Sequence, residues 1–125
     1  MPTAFLRSTL AILLALASLS LAPAPRPAQA AGTWYVATTG SDSNDCATPA
    51  TPCATINTAI GKITSGDTIR IAVGVYTDGG DQVVLLDRSA SLSGGWDEAF
   101  TARIGLATID GQSARRGMTV GVGSV

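Results

Sequence analysis

The sequence contains no histidine. That removes the commonest general base and the commonest metal ligand together. Charge is sparse at 14% of residues, the net is −1, and no run of one sign occurs. The basic residues are scattered, which excludes the clustered patch of a nucleic-acid-binding surface. Lys62 is the sole lysine, and no two aspartates stand one or two apart on a strand-like segment. Any chemistry falls to carboxylates, Lys62, the arginines and two cysteines. What is present is apolar: 46% of the 125 residues are hydrophobic, enough for one small folded domain.

The first thirty residues read as a leader rather than as fold. Arg7 and the amino terminus give a weakly positive start, and Leu10 to Ala22 form an apolar stretch of 13 residues. That length suits a signal-peptide core and falls short of the roughly 17–25 residues of a membrane span. The "PAPRP" segment breaks any helix, and Ala28-Gln29-Ala30 places small residues at the recognition positions, so cleavage is expected after Ala30. No twin arginine is present, and no cysteine follows the apolar core to carry a lipid. The expected division is 1–30 signal peptide and 31–125 mature domain, secreted or on the cell surface, without a membrane span. Arg7 and Arg26 leave with the leader while all nine acidic residues stay, so the mature charge is 6 − 9 = −3.

Export makes a disulfide between Cys46 and Cys53 the expectation over two free thiols. The spacing, without histidine or further cysteines, makes a poor zinc site. A catalytic thiol lacks a base.

Along the mature chain, 33–40 is strand-like and 40–52 is a loop rich in Gly, Ser, Asp, Asn and Pro. Ile56, Ala59, Ile60 and Ile63 fall on one helical stripe, with Thr51-Pro52 as the expected start and Gly66 as the stop. From 67 onward only short strands and turns follow. In "GDTIRIAVGVYTDGG", Ile69, Ile71, Val73 and Val75 alternate with Thr68, Arg70, Ala72, Gly74 and Tyr76, which places the first set inward. Further strand segments lie at 82–87, 89–96, 107–111 and 116–124, the last with Met118, Val120 and Val122 on one side. Short, evenly punctuated strands fit a sandwich or barrel, or a β-solenoid. Very short strands, frequent glycine and one leading helix favour the solenoid.

The pieces Gly40 to Asp45, then Pro52, Thr55, Ile56, Ala59 and Ile60, then Gly66 to Ile71 with Gly74 and Tyr76 carry a resemblance. Together they resemble the opening of bacterial right-handed parallel β-helix proteins, the pectate-lyase-like superfold. The resemblance covers about residues 33–122. It implies a mostly β fold: a short amino-terminal capping helix and the first coils of a right-handed parallel β-helix, truncated after two or three coils. It also implies further coils, or another chain, stacking at the carboxy-terminal end. That superfold carries lyases, hydrolases and adhesins alike, so it does not specify an activity.

The candidate groups are few. Asp42, Asn44 and Asp45 offer oxygen donors for calcium, the one cofactor in view, although a turn using the same side chains is the simpler reading. Lyases of the resembled superfold use a Lys or Arg beside calcium-binding aspartates. Lys62 sits on the helix, and Arg115 with Arg116 sits in a turn, so no catalytic residue is assigned. Trp34 and Trp96 suit packing at coil ends more simply than stacking on sugars. The leading expectation is an exported, non-catalytic scaffold or polymer-binding segment. The alternatives are the start of a calcium-dependent polysaccharide lyase and a carbohydrate-binding module without cleavage.

Overall fold

A computed structural model describes residues 22–25 and 30–121. Most of the expected leader and Val122 lie outside the described residues. Among those described, no helix is long and apolar enough to cross a membrane.

Among the described residues the chain is mostly β, with one short helix. The elements are β1 (Thr33–Val36), α1 (Ile56–Lys62), β2 (Asp67–Ala72), β3 (Gly74–Tyr76), β4 (Gln82–Leu86), β5 (Ala90–Trp96), β6 (Ala107–Ile109) and β7 (Arg116–Val120). Every strand pairing is parallel, in three separate sheets ordered β1-β2-β5, β3-β6 and β4-β7. Parallel partners need a connection that returns the chain to its starting end. Here the chain visits the three sheets in turn through β2, β3 and β4, then again through β5, β6 and β7.

The resemblance to right-handed parallel β-helix proteins does not hold. The sheets stop at two or three strands, and among the described residues none closes or continues as a solenoid sheet. The physical reason lies in the motif itself. Outside β2, its residues set local turns and caps, which do not specify a long ladder. Gly40 is one: a Cβ there would lie 2.5 Å from the Pro52 carbonyl oxygen, so only glycine fits. Thr55 is another, as the cap of α1.

The helix forms where the apolar stripe lies, but it starts later and ends sooner than expected. Thr55, not Thr51, is the N-cap, its Oγ1 accepting the Thr58 amide at 3.3 Å. The helix ends at Lys62 with Ile63 as C-cap, ahead of Gly66. Ile56, Ala59, Ile60 and Ile63 pack with Val36, Ile69, Ile71, Tyr76, Val83 and Val84 in one core. Full burial of a side chain such as Ile56 or Ile69 contributes roughly 1.5–3 kcal/mol, which a seven-residue helix needs because it is marginal alone.

The alternation in 66–80 holds only as far as Ile71. Ala72 and Tyr76 are buried, while Val73 is 41% and Val75 57% exposed. Val73 is the single residue between β2 and β3, where the chain passes from one sheet to the next. The change of sheet inverts the phase, since a one-residue slip moves every side chain to the other face. Tyr76 turns inward, and its hydroxyl donates to the Ala72 carbonyl at 2.9 Å. Burial pushes its pKa up to about 12.

Candidate functional site: a closed end and an open end

The stack of strands has two ends, built from different residues. At one end lies the edge of β1. The segment 46–53 runs alongside it, bridged by the Cys46–Cys53 disulfide, whose Cα atoms are 5.0 Å apart. Three backbone bonds close this edge: Tyr35 amide to Cys46 carbonyl (2.8 Å), Cys53 amide to Tyr35 carbonyl (2.9 Å) and Ala37 amide to Cys53 carbonyl (2.9 Å). Both cysteines are fully buried. Cys46 holds φ +61°, a left-handed conformation unfavourable for a residue with a Cβ, and the bridge and edge bonds retain it there.

The same end covers β4 by a different device. The Asn57 side chain on α1 donates from Nδ2 to the Val83 carbonyl at 3.0 Å and accepts the Leu85 amide on Oδ1 at 2.8 Å. A carboxamide has the donor and acceptor of a peptide group, so Asn57 stands in for a neighbouring strand. Its Nδ2 also reaches Asp78 at 2.7 Å.

A buried carboxylate joins β1 to β2. Asp67 is 4% exposed. Its Oδ2 accepts Trp34 Nε1 at 2.9 Å, the Thr64 amide at 2.9 Å and Thr64 Oγ1 at 3.1 Å, while Oδ1 accepts the Gly32 amide at 2.7 Å. These bonds, the Thr64 amide first and then the Gly32 amide, lower its pKa from 3.8 to about 2 against the opposing cost of burial.

Among the described residues, β6 and β7 are bare at the opposite end: β6 pairs only with β3 and β7 only with β4. Met118 lies across from Val84, and Val120 across from Leu86. Val84 is fully buried, yet Met118 is 44% and Val120 62% exposed. Thr119 Oγ1 is buried with no hydrogen-bond partner among the described residues. Ile104 and Leu106, ahead of β6, are 69% and 79% exposed. Among the described residues, it is the end of β5 that is covered. There the segment 97–106 folds back, with Arg103 Nε on the Gly94 carbonyl at 3.0 Å and the Ile104 amide on the Gly95 carbonyl at 2.8 Å. Gly95 permits this: its φ is +88°, and a Cβ would lie 2.1 Å from the Gly105 oxygen.

The residues singled out from sequence do not converge. Asp42 accepts the Ala54 and Thr55 amides (3.0 and 2.9 Å) and Thr55 Oγ1 (3.0 Å), anchoring the start of α1. Asn44 Nδ2 donates to the Pro52 carbonyl at 2.8 Å. Asp45 accepts Thr51 Oγ1 at 2.6 Å and the Ala47 amide at 3.1 Å, and these two bonds lower its pKa, the Thr51 hydroxyl most. No group of three or more metal-ligating side chains occurs among the described residues. Lys62 Nζ donates to the Asn44 carbonyl, and Arg115 to the Asp78 carbonyl. Arg116 starts β7, across from Gln82.

Trp34 serves Asp67. Trp96 lies under Arg70, whose guanidinium carbon is 4.2 Å from the ring centroid, and its Nε1 donates to Ser93 Oγ at 3.0 Å. Beside them Tyr35 meets the buried Phe100 edge-on at 4.9 Å. A cleft of about 200 Å³, bordered by Thr38, Thr55, Tyr76 and Asp78, opens beside β3.

Sequence reasoning missed Asn57 and Asp67. The partners of Asn57 on β4 are 26 and 28 residues away, and Trp34 is 33 residues from Asp67. The one available signal was a carboxylate in the strand phase of Ile69 and Ile71, hence inward. Compared with protein-family models, curated proteins and solved structures, the chain matches none. The family resemblance, which the sheets overturn, gains no support from the comparisons.

Proposed function

We propose that this chain is an exported, non-catalytic scaffold segment, secreted or at the cell surface, that forms the closed base on which further parallel strands stack. The three short sheets are then the first steps of three lanes that added turns of chain extend as a solenoid. The turns are right-handed, as nearly all parallel crossovers are. The observation that carries this reading is the contrast across one row: Val84 is sealed under α1, and Met118 across from it is 44% exposed. A strand edge with apolar side chains beside it is a template for strand addition.

Other features favour a scaffold over chemistry or sugar binding. Lys62 and Arg115 are engaged with backbone carbonyls, and Arg70 covers a face of Trp96. The mature charge of 6 − 9 = −3 gives no general attraction to acidic polysaccharides.

The test is sedimentation of the exported protein over a concentration series, with a second copy of the chain as the stacking partner. Association that Met118→Lys with Val120→Lys abolishes, at unchanged unfolding temperature, is the expected result. Association unaffected by the pair, or none up to millimolar concentration, overturns the reading.

A further inference from the structure

Asp67 is the one buried charged residue among those described, and no cation pairs with it there. Its neighbours supply only neutral donors: the Gly32 and Thr64 amides, the Trp34 indole and the Thr64 hydroxyl. Arg88 is engaged elsewhere, with Nη1 on the Ile63 carbonyl at 3.2 Å and Nε on Asp87 at 3.1 Å, and Arg70 lies over Trp96. The four donors keep the carboxylate charged, so an arriving cation meets a fixed, buried negative charge.

The two oxygens are unequally used. Oδ2 accepts three donors and Oδ1 only one, the Gly32 amide at 2.7 Å. A carboxylate oxygen accepts two donors readily, so Oδ1 has room for another. The residue before Gly32 is Ala31, exposed, as is Ala30. Successive backbone nitrogens are at most about 3.7 Å apart, so the Ala31 nitrogen lies within roughly 6.5 Å of Oδ1. In the uncut chain that nitrogen is a neutral amide. Hydrolysis of the Ala30–Ala31 bond consumes one water, leaves the carboxylate on Ala30, and makes the Ala31 nitrogen an ammonium group.

We propose that Asp67 is the seat of the mature amino terminus: cleavage after Ala30 places the Ala31 ammonium on Asp67 Oδ1 and so completes the closed end of the fold. The inference rests on the export reading, from which it takes the cleavage position. It assigns the Asp67 carboxylate a second role, as a latch closed by processing. The bonds to Gly32 and Trp34 already hold β1 at β2, and the ion pair adds the counter-charge that the site lacks.

The test begins with amino-terminal sequencing of the exported protein. Part of the sample is then acetylated near neutral pH. There α-amines as a class react ahead of lysine side chains. Mass spectrometry identifies the singly modified chain. The free-amine protein is expected to unfold on the order of 5 °C above the acetylated one. In Asp67→Asn the two forms are expected to unfold together. A start at a residue other than Ala31 overturns the cleavage position and this proposal with it. A start at Ala31 with equal unfolding temperatures overturns the latch alone and leaves the export reading standing. The acetylation comparison on the unsubstituted protein decides this even where Asp67→Asn does not fold.

Discussion

The two ends of the stack use the same kind of strand and treat its edge in opposite ways. At the closed end, backbone from the bridged segment 46–53 satisfies β1, and the side chain of Asn57 satisfies β4. At the open end, β7 alternates between exposed and half-buried residues, with Met118 and Val120 uncovered. An apolar side chain is therefore not a core residue by its type. It becomes one when something lies over it, and the row Val84–Met118 separates the two cases inside a single sheet.

The sharpest way to break this comparison is to place the same charge at both positions of that row. Val84→Asp buries a carboxylate without a partner and is expected to cost more than about 4 kcal/mol, leaving the chain unfolded. Met118→Asp leaves the charge in water and is expected to cost no more than about 1 kcal/mol. Thermal unfolding of the two variants checks it, and equal damage would mean that the open end is not open.

Acid acts on the closed end through Asp67. The Asp67 pKa is lowered from 3.8 to about 2, so its carboxylate stabilises the fold fully above about pH 4. That contribution is lost as pH falls from about 4 towards 2. Unfolding temperature measured across this range should drop, and Asp67→Asn should flatten the drop. The next effect is the bridge. Joint replacement of Cys46 and Cys53 by serine removes a constraint worth about 2.5 kcal/mol on the chain-entropy account, read as a lower denaturation midpoint. Asn57→Ala follows, at roughly 1–2 kcal/mol, because it strips the Val83 carbonyl and Leu85 amide of their partner. Met118→Lys with Val120→Lys sits at the small end, with little change in stability and its effect confined to association.

Sequence made the local features legible. The stripe Ile56, Ala59, Ile60 and Ile63 marked the helix and its buried face, and the cysteine pair marked the bridge. Periodicity failed at Val73, because alternation reports burial only while the strand stays in one sheet. The cap was misplaced to Thr51 because a Thr-Pro start is a common signal, whereas Asp42, remote in sequence, anchors the chain at Thr55. The closed end depends on pairs such as Trp34 with Asp67 and Asn57 with Leu85, and no spacing rule joins residues so far apart.

Residue-resolved hydrogen exchange of the exported protein, read at low and high concentration, tests the central contrast most directly. The amides of Tyr35, Ala37 and Leu85, bonded at the closed end, should exchange slowly at both concentrations. Those amides of Gly117 to Val120 that β4 does not bond should exchange fast when dilute and slow down when concentrated. Fast exchange at Tyr35 and Leu85, or slow exchange throughout β7 in dilute solution, would contradict the account of one closed end and one open end.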